Sequence, residues 1–297
     1  MLLSEVSKVG GADLVRDGEF RTLGFLSYPH PGMLVFVESS RFLAKLGRTP
    51  EAFCVIITPD LAANLKFAGG CAISENPRRS FHLIHTHLAA QGFYWTDFDT
   101  EIHPSACIHP RAFVAGRNVR IGAHTQIEAN ATILERSLIG SDVSIRAGAV
   151  IGSVGFMGMP GREHLEEMIH AGGILLGDRV QVMANAVVAS GIFHDCTQIG
   201  PGARIGNCAF VSHGVQVGGG SSIGHGAMVA GYVQIGEDAW IGPGASLVNG
   251  IRIGHRAHVA LGSVVIGNVD LEQRVAGNFA VAHRALLKHL ASIRSER

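Results

Sequence analysis

One histidine and one glycine in the second half of the sequence have types and a spacing that suit acyl transfer. His213 lies within the segment 211–215 (VSHGV), and Gly231 stands eighteen residues further on. An imidazole takes a proton from an attacking amine, and a neighbouring backbone N–H stabilises the oxyanion of the tetrahedral intermediate. The pair therefore predicts general-base acylation of an amine. The alternative is that His213 is only one of 16 histidines on a polar surface.

A sixfold period of aliphatic residues surrounds this pair and must position it. The residues at this spacing are Ile199, Ile205, Val211, Val217, Ile223, Val229, Ile235, Ile241, Leu247, Ile253, Val259 and Val265. The period fits neither a helix nor a single strand, and it is typical of hexapeptide repeats that wind into a parallel β-helix with three short strands per coil. One coil then takes about 18 residues, so His213 and Gly231 are predicted to lie side by side on adjacent coils.

The repeats also define the extent of the solenoid. They begin near Ile102, run to Ile151 and return in a shifted register at Leu176. The segment between them, 152–173, is polar and glycine-rich, which predicts a loop that leaves the solenoid, and a smaller irregularity is expected at 193–197. We expect about eight or nine coils and a height of roughly 40 Å.

The fold expected is mainly β, with a small domain on either side of the solenoid. Residues 1–98 lack the period and predict an α/β domain, with strands at 33–37 and 52–57 and helices at 40–46 and 77–90. Residues 99–268 form the β-helix domain. Residues 269–297 form a helical cap, with one short amphipathic helix at 281–293.

Composition excludes several functional classes. The formal net charge is zero, so no basic surface for nucleic acid is expected. No apolar run reaches the roughly 20 residues that span a bilayer. The five scattered cysteines favour reduced thiols and a cytoplasmic location. His82, His85 and His87 share a predicted helix, but no Cys or carboxylate completes a ligand set, so no metal site is expected.

Several segments outside the period carry a more specific pattern. They are 3–6 (LSEV) with 11–15 (GADLV), Phe36-Val37 with 42–46 (FLAKL), 76–78 (NPR), 102–106 (IHPSA) and 152–156 (GSVGF). Together with the hexapeptides, they resemble the left-handed β-helix acyltransferases, and most of all the UDP-3-O-acylglucosamine N-acyltransferases of lipid A and lipopolysaccharide biosynthesis. The likeness covers about residues 1–265.

The resemblance implies a left-handed helix, a homotrimer with sites between neighbouring solenoids, and a role for particular residues. His213 matches the family's base and Gly231 its oxyanion-hole glycine. The acceptor would be a nucleotide-linked amino sugar. The donor would be an acyl carrier protein thioester (acyl-ACP) or acyl-CoA, and no permanently bound cofactor is implied. The substrate-binding residues implied are Phe36, Ser39, Phe42, Phe156 and His170.

The sequence departs from that family at four places. Ser39 stands where the family reads uracil with Asn, Val154 replaces an Asp, and Ile251 replaces a second histidine. The segment 275–279 (VAGNF) with His283 instead resembles acetyltransferases that act on nucleotide-linked amino sugars. Two alternatives therefore stay open: an acetyl-CoA-dependent N-acetyltransferase of another nucleotide amino sugar, and a catalytically inactive solenoid that serves as a binding scaffold. Met228, Tyr232 and Trp240 are expected on the outside of the solenoid, buried against a neighbouring subunit.

Overall fold

The computed structural model describes residues 1–160, 165–277, 282–285 and 291–292. The N-terminal domain has one five-stranded sheet of order β1-β5-β4-β3-β2, in which only β1 is antiparallel to its neighbour. Its strands are β1 Asp13–Arg16, β2 Thr22–Leu23, β3 Met33–Val37, β4 Ala52–Ile57 and β5 Gly70–Ile73. Its helices are α1 Leu3–Val6, α2 Ser40–Leu46, α3 Pro59–Ala62 and α4 Pro77–Ala90.

Two strands and two helices of this domain have the bounds that the sequence predicts, namely β3, β4, α2 and α4. β3 and β4 are almost wholly buried, as expected for parallel strands rich in Val, Ile and Phe. α4 begins where Asn76 caps it, because the Asn76 side chain accepts a hydrogen bond from the Arg79 N–H, and Pro77 occupies the first turn.

The rest of the described chain winds through three parallel sheets of eight, nine and eight strands. The first sheet contains β6 Glu101–Ile102, β9 Val119–Ile121, β12 Ser137–Ile139, β17 Gly173–Leu176, β20 Cys196–Ile199, β23 Gln216–Val217, β26 Gln234–Ile235 and β29 Arg252–Ile253. The second contains β7 Cys107–Ile108, β10 Gln126–Ile127, β13 Ser144–Ile145, β18 Gln181–Val182, β21 Arg204–Ile205, β24 Ser222–Ile223, β27 Trp240–Ile241, β30 His258–Val259 and β32 Arg274–Val275. The third contains β8 Phe113–Val114, β11 Thr132–Ile133, β14 Val150–Ser153, β19 Val187–Ala189, β22 Phe210–Val211, β25 Met228–Val229, β28 Ser246–Leu247 and β31 Val264–Val265.

The sixfold aliphatic residues form the interior of this solenoid. Ile205 pairs with Ile223, and Ile223 pairs with Ile241, so that residues eighteen apart stack from coil to coil. All three are buried in one continuous apolar core. Removal of this surface from water contributes about 25 cal/mol per Å². The fold is the mainly β, left-handed parallel β-helix that the sequence predicts, with the number of coils expected.

Parallel pairing continues beyond position 268, where the predicted solenoid domain ends. β32 pairs with β30 through Arg274 and His258. The amphipathic helix predicted at 281–293 lies mostly outside the described residues, as do Asn278 and Phe279. Within the part of the chain that the structure describes, no helix combines the length and the apolar character needed to cross a membrane.

The segment predicted to leave the solenoid does so and reaches the N-terminal domain. It forms a hairpin of β15 Gly158–Pro160 and β16 Leu165–Glu167. Glu166 of this hairpin pairs with Arg79 and His82 on α4, at 3.6 Å and 3.3 Å. His85 of α4 adds a hydrogen bond of 2.8 Å to the Ile169 carbonyl. The loop is therefore held by α4 as well as by the coils that it leaves, where Arg136 donates a hydrogen bond to the His170 carbonyl.

The second irregularity places an aromatic ring of the solenoid inside the N-terminal domain. Phe193 lies within 6 Å, between ring centroids, of Phe25, Phe81 and His85. Its side chain is only 2% exposed. The N-terminal domain and the solenoid thus share one aromatic core.

Replacement of this ring is a test of the shared core. We expect Phe193→Ala to lower the free energy of unfolding by about 3–5 kcal/mol, because a large buried ring is lost and a cavity remains. Urea titration measures the change. Phe156→Ala is the matched control, since that ring is 93% exposed and its loss leaves stability within about 0.5 kcal/mol. Equal effects of the two substitutions would contradict a shared core.

Candidate active site

The solenoid brings His213 and Gly231 into contact, as their spacing predicts. β22 pairs with β25 through Phe210 and Met228, and the corner that follows is joined by a 2.9 Å hydrogen bond from the Tyr232 N–H to the His213 carbonyl. A Cβ at position 231 would lie 2.4 Å from His213 Nε2, so glycine is required there. Among the described residues no hydrogen bond uses the buried Gly231 N–H. That N–H is available to an oxyanion beside the imidazole.

His213 lies at a corner, outside the aliphatic core, but it is not one of the histidines on a polar surface. The side chain is 4% exposed. The loop that leaves the solenoid covers it with Gly155 and His170, and the ring of Tyr232 packs edge-on against it at 5.3 Å. The sequence did not reveal this cover because it comes from distant segments.

Hydrogen bonds define the protonation state of His170, the histidine that lies beside His213. Its Nδ1 lies 3.1 Å from the Met168 carbonyl and donates to it, and its Nε2 accepts from the Gly155 N–H at 3.2 Å. The ring is therefore neutral. A Cβ on Gly155 would lie 3.0 Å from both His170 Nε2 and His213 Nδ1, so this glycine allows the two imidazoles to approach.

Burial keeps His213 in the form that accepts a proton. Burial, assisted by the neighbouring His170, lowers the pKa of His213 to about 4. Burial also lowers the pKa of His170, although the Met168 carbonyl and Asp195 oppose this effect. The only polar side chain bonded to the His213 ring among the described residues is Ser212, whose Oγ is 3.2 Å from Nδ1. Nε2, on the Gly231 side, is left for a substrate.

Two tyrosines complete the cover of His213, and neither was predicted there. Tyr28, from the N-terminal domain, stacks on Tyr232 with a centroid distance of 4.1 Å and an interplanar angle of 8°. Tyr232 was expected at a subunit interface, whereas it is buried within its own chain. Burial raises the pKa of Tyr232 well above 10, and the nearby Asp195 adds to this shift.

Phe36 and Phe42 line one cavity of about 120 Å³ in the N-terminal domain. The guanidinium of Arg78 lies 5.4 Å from the centroid of Phe36 and is held by an ion pair with Glu38. Ser39 precedes α2 and is not among the residues that line this cavity. The size and aromatic walls suit a single flat ring.

Two other positions lie apart from the His213 cluster. Phe156 is on the loop next to Gly155, but its ring faces solvent. Ile251, which stands where the resembled family has a second histidine, is buried in the solenoid core. Within the described ranges no three His, Cys, Asp or Glu side chains are grouped closely enough to hold a metal ion.

Comparisons with known proteins agree with this fold. Residues 118–153 match the family described as bacterial transferase hexapeptide (six repeats). UDP-3-O-acylglucosamine N-acyltransferases from Leptothrix cholodnii and Azorhizobium caulinodans are 26% and 28% identical to this chain, over 72% of it and 70% of their own length. The corresponding protein of Coxiella burnetii is 27% identical over 72% of the chain and 69% of its own.

Among solved structures, a UDP-N-acetylglucosamine acyltransferase of Francisella novicida aligns with 63% of this chain and 73% of its own. The TM-score is 0.49 and the identity 20%. An Arabidopsis UDP-N-acetylglucosamine acyltransferase aligns with 59% of this chain and 71% of its own, with a TM-score of 0.44 and 19% identity.

The repeats, the parallel coils and the curated relatives define the class: this chain is an acyltransferase of the hexapeptide-repeat type, built on a left-handed β-helix. Within that class it is similar to the UDP-3-O-acylglucosamine N-acyltransferases, which confirms the resemblance found in the sequence.

The proton affinity of His213 is directly measurable. Because burial penalises the imidazolium, we expect its ring protons to titrate by NMR near pH 4 rather than near 6.5. His170→Gln removes one cause of the low value and moves the pKa of His213 upward. His213→Gln identifies the resonance by its absence. Titration of His213 at or above pH 6.5 in the folded wild type would contradict the buried arrangement.

Proposed function

We propose that this chain transfers an acyl group from a thioester to the amine of a UDP-linked amino sugar. Its curated relatives are named UDP-3-O-acylglucosamine N-acyltransferases. One observation carries the proposal. The neutral, buried His213 has Nε2 directed at Gly231, whose buried N–H takes part in no hydrogen bond among the described residues. A base and an oxyanion donor in contact, with water excluded, are what amine acylation requires.

The reaction proceeds by addition and elimination. The amine nitrogen attacks the thioester carbonyl carbon while His213 Nε2 takes the proton of that nitrogen. The Gly231 N–H stabilises the carbonyl oxygen as it becomes an oxyanion. The C–S bond then breaks, the imidazolium returns the proton to the departing sulfur, and an amide remains on the sugar. His213 ends neutral and ready for another turnover.

The nucleotide of the acceptor fits the aromatic cavity of the N-terminal domain. Phe36 and Phe42 supply the stacking surfaces, and Arg78 lines the same cavity. The donor is acyl-ACP or acyl-CoA, and His170 and Phe156 are proposed along the path of the acyl chain. Lipid A biosynthesis in the cytoplasm is the setting that this substrate pair implies.

We also propose that the chain works as a homotrimer. Met228 and Trp240 stay largely exposed on the solenoid surface and offer apolar contacts to a neighbour, although Tyr232 does not. Light scattering of the purified chain measures this assembly directly.

Loss of the base is the test of the reaction. We expect His213→Ala to lower kcat by about 10²–10⁴-fold in an assay with a UDP-linked amino sugar and an acyl thioester, because general-base catalysis is worth that much. His225→Ala is the matched control, since it removes an exposed solenoid histidine and leaves kcat within about twofold. A folded His213→Ala variant with wild-type turnover would exclude His213 as the base and favour the inactive scaffold.

Selectivity among nucleotides follows from the aromatic cavity. Base stacking contributes about 1–3 kcal/mol and is largely indifferent to the base, and Ser39 lies outside the cavity wall. We therefore expect calorimetry to show that a UDP-sugar binds no more than about tenfold more tightly than the matching GDP-sugar. Ser39→Asn tests whether an amide at this position restores selectivity. Exclusive binding of the UDP-sugar by the wild type would show that another group reads the base.

A further inference from the structure

His85, on α4, is a completely buried histidine whose two ring nitrogens both take part in hydrogen bonds. Its exposure is 0%, Nδ1 lies 2.8 Å from the Tyr94 hydroxyl, and Nε2 lies 2.8 Å from the Ile169 carbonyl. A carbonyl oxygen only accepts, so Nε2 carries the proton and donates it to Ile169. Nδ1 then accepts from the hydroxyl of Tyr94. Each nitrogen therefore has a defined partner, and one orientation of the ring satisfies both.

Tyr94 holds this ring from the side of the solenoid. Its side chain is buried, and burial, assisted by the charge of Asp195, raises the pKa of its hydroxyl well above 10. The hydroxyl therefore keeps its proton and stays a donor to His85. The Tyr94 carbonyl accepts a 2.8 Å hydrogen bond from Nδ1 of His194, which belongs to the second irregularity of the solenoid. The orientation of His85 is thus set by groups outside the loop that it contacts.

Burial also keeps His85 neutral. It lowers the pKa of His85 to about 4, and the neighbouring His82 and His170 add to this effect, whereas the bond to the Ile169 carbonyl opposes it. At neutral pH His85 therefore presents a neutral N–H to the loop. Its action on the loop depends on the direction of that donor rather than on charge.

The acceptor of this bond belongs to the peptide unit that joins Ile169 to His170. Because a peptide unit is planar, fixing its carbonyl also fixes the N–H and the Cα of His170. The ring of His170 is held in turn by its hydrogen bonds to the Met168 carbonyl and from the Gly155 N–H. His85 therefore acts at the backbone from which the His170 side chain extends.

His170 and Gly155 are the part of the loop that covers the proposed base. The ring centroids of His170 and His213 are 5.4 Å apart, and a Cβ on Gly155 would lie 3.0 Å from both imidazoles. A shift of His170 would therefore uncover His213 and admit water to its Nδ1 side. The bond that His85 makes is in this way transmitted through the loop to the imidazole of His213.

The other bonds that hold this part of the loop are longer or nearer to solvent. The side chain of Glu166, which pairs with Arg79 and His82, is 32% exposed, so water competes with these ion pairs. Arg136 reaches the His170 carbonyl at 3.3 Å. The 2.8 Å bond from His85 comes from a fully buried ring, and it is the contact that specifies where the peptide of Ile169 lies.

We propose that His85 is a positioning residue for acyl transfer, which fixes the peptide between Ile169 and His170 and thereby keeps the loop against His213. This inference rests on the proposed function, because it gives α4 a part in the geometry of the proposed base. His85 takes no part in proton transfer. A neutral side chain with an N–H at the same place should therefore replace it.

Two substitutions separate the hydrogen bond of His85 from its packing. His85→Gln keeps a neutral N–H donor, since the amide nitrogen of Gln is as many bonds from Cβ as Nε2 of His. His85→Leu fills the site but leaves the Ile169 carbonyl without this donor. We expect His85→Leu to lower kcat by about 10–100-fold with an unchanged KM for the nucleotide sugar, because a misplacement of about 1 Å costs up to about 100-fold. His85→Gln should recover most of kcat.

The NMR titration of His213 measures the position of the loop separately from activity. In His85→Leu it should move upward from near pH 4, because a displaced loop admits water to the imidazole. In His85→Gln it should stay near the wild-type value. His87→Leu is the matched control and should change neither kcat nor the titration. His87 is half-buried on the same helix, and in the described part of the chain it forms none of the hydrogen bonds or ion pairs that join α4 to the loop.

Thermal melting checks that each variant is folded. A folded His85→Leu variant with wild-type kcat and an unchanged titration of His213 would overturn the assignment. Equal losses in His85→Leu and His85→Gln would also overturn it, since the donor at Nε2 would not be the reason. A loss of kcat without a shift of the titration would contradict an effect through the loop. If the wild type transfers no acyl group, the proposed function fails, and the titration alone decides whether His85 holds the loop.

Discussion

The in-register stacking of aliphatic side chains every eighteen residues is the constraint on which the remaining structure depends. Ile205, Ile223 and Ile241 lie directly above one another, and no slip by one residue is possible without turning the whole interior outward. The same register aligns every other position of a coil with the equivalent position on the next coil. His213 and Gly231 are neighbours for this reason alone, although nothing in their own chemistry brings them together.

The solenoid gives the site its spacing, and Tyr232 with the loop that leaves the solenoid gives it its enclosure. A corner of a β-helix is ordinarily exposed to solvent, yet His213 is buried because Tyr232 and the loop at Gly155 lie over it. Tyr232 is in turn stacked on Tyr28. The low pKa of His213 is thus a property of this cover, since burial is its main cause.

These facts explain what the sequence predicted and what it did not. Local periodicity can be recognised in a single sequence, and it predicts the interior positions of the solenoid as well as β3, β4, α2 and α4. The pairing of His213 with Gly231 follows from the repeat length. The stacking of Tyr28 on Tyr232 joins the N-terminal domain to the solenoid, and no repeat in the sequence relates the two residues. Tyr232 was consequently expected at a subunit interface, because its outward direction was predicted and its partner was not.

The aromatic cavity of the N-terminal domain is suited to binding by stacking. The cavity of Phe36 and Phe42 offers mostly ring faces, which bind a flat group without strong dependence on its polar edge.

A base without a carboxylate partner must have its ring oriented by other contacts. Among the residues that the structure describes, His213 has only Ser212 at Nδ1, and no carboxylate is bonded to its ring. Its orientation comes instead from packing against Gly155, Gly231 and Tyr232. An amine that approaches Nε2 therefore meets an imidazole of fixed orientation, and that positioning lowers the barrier by removing motions that a freely rotating base would retain.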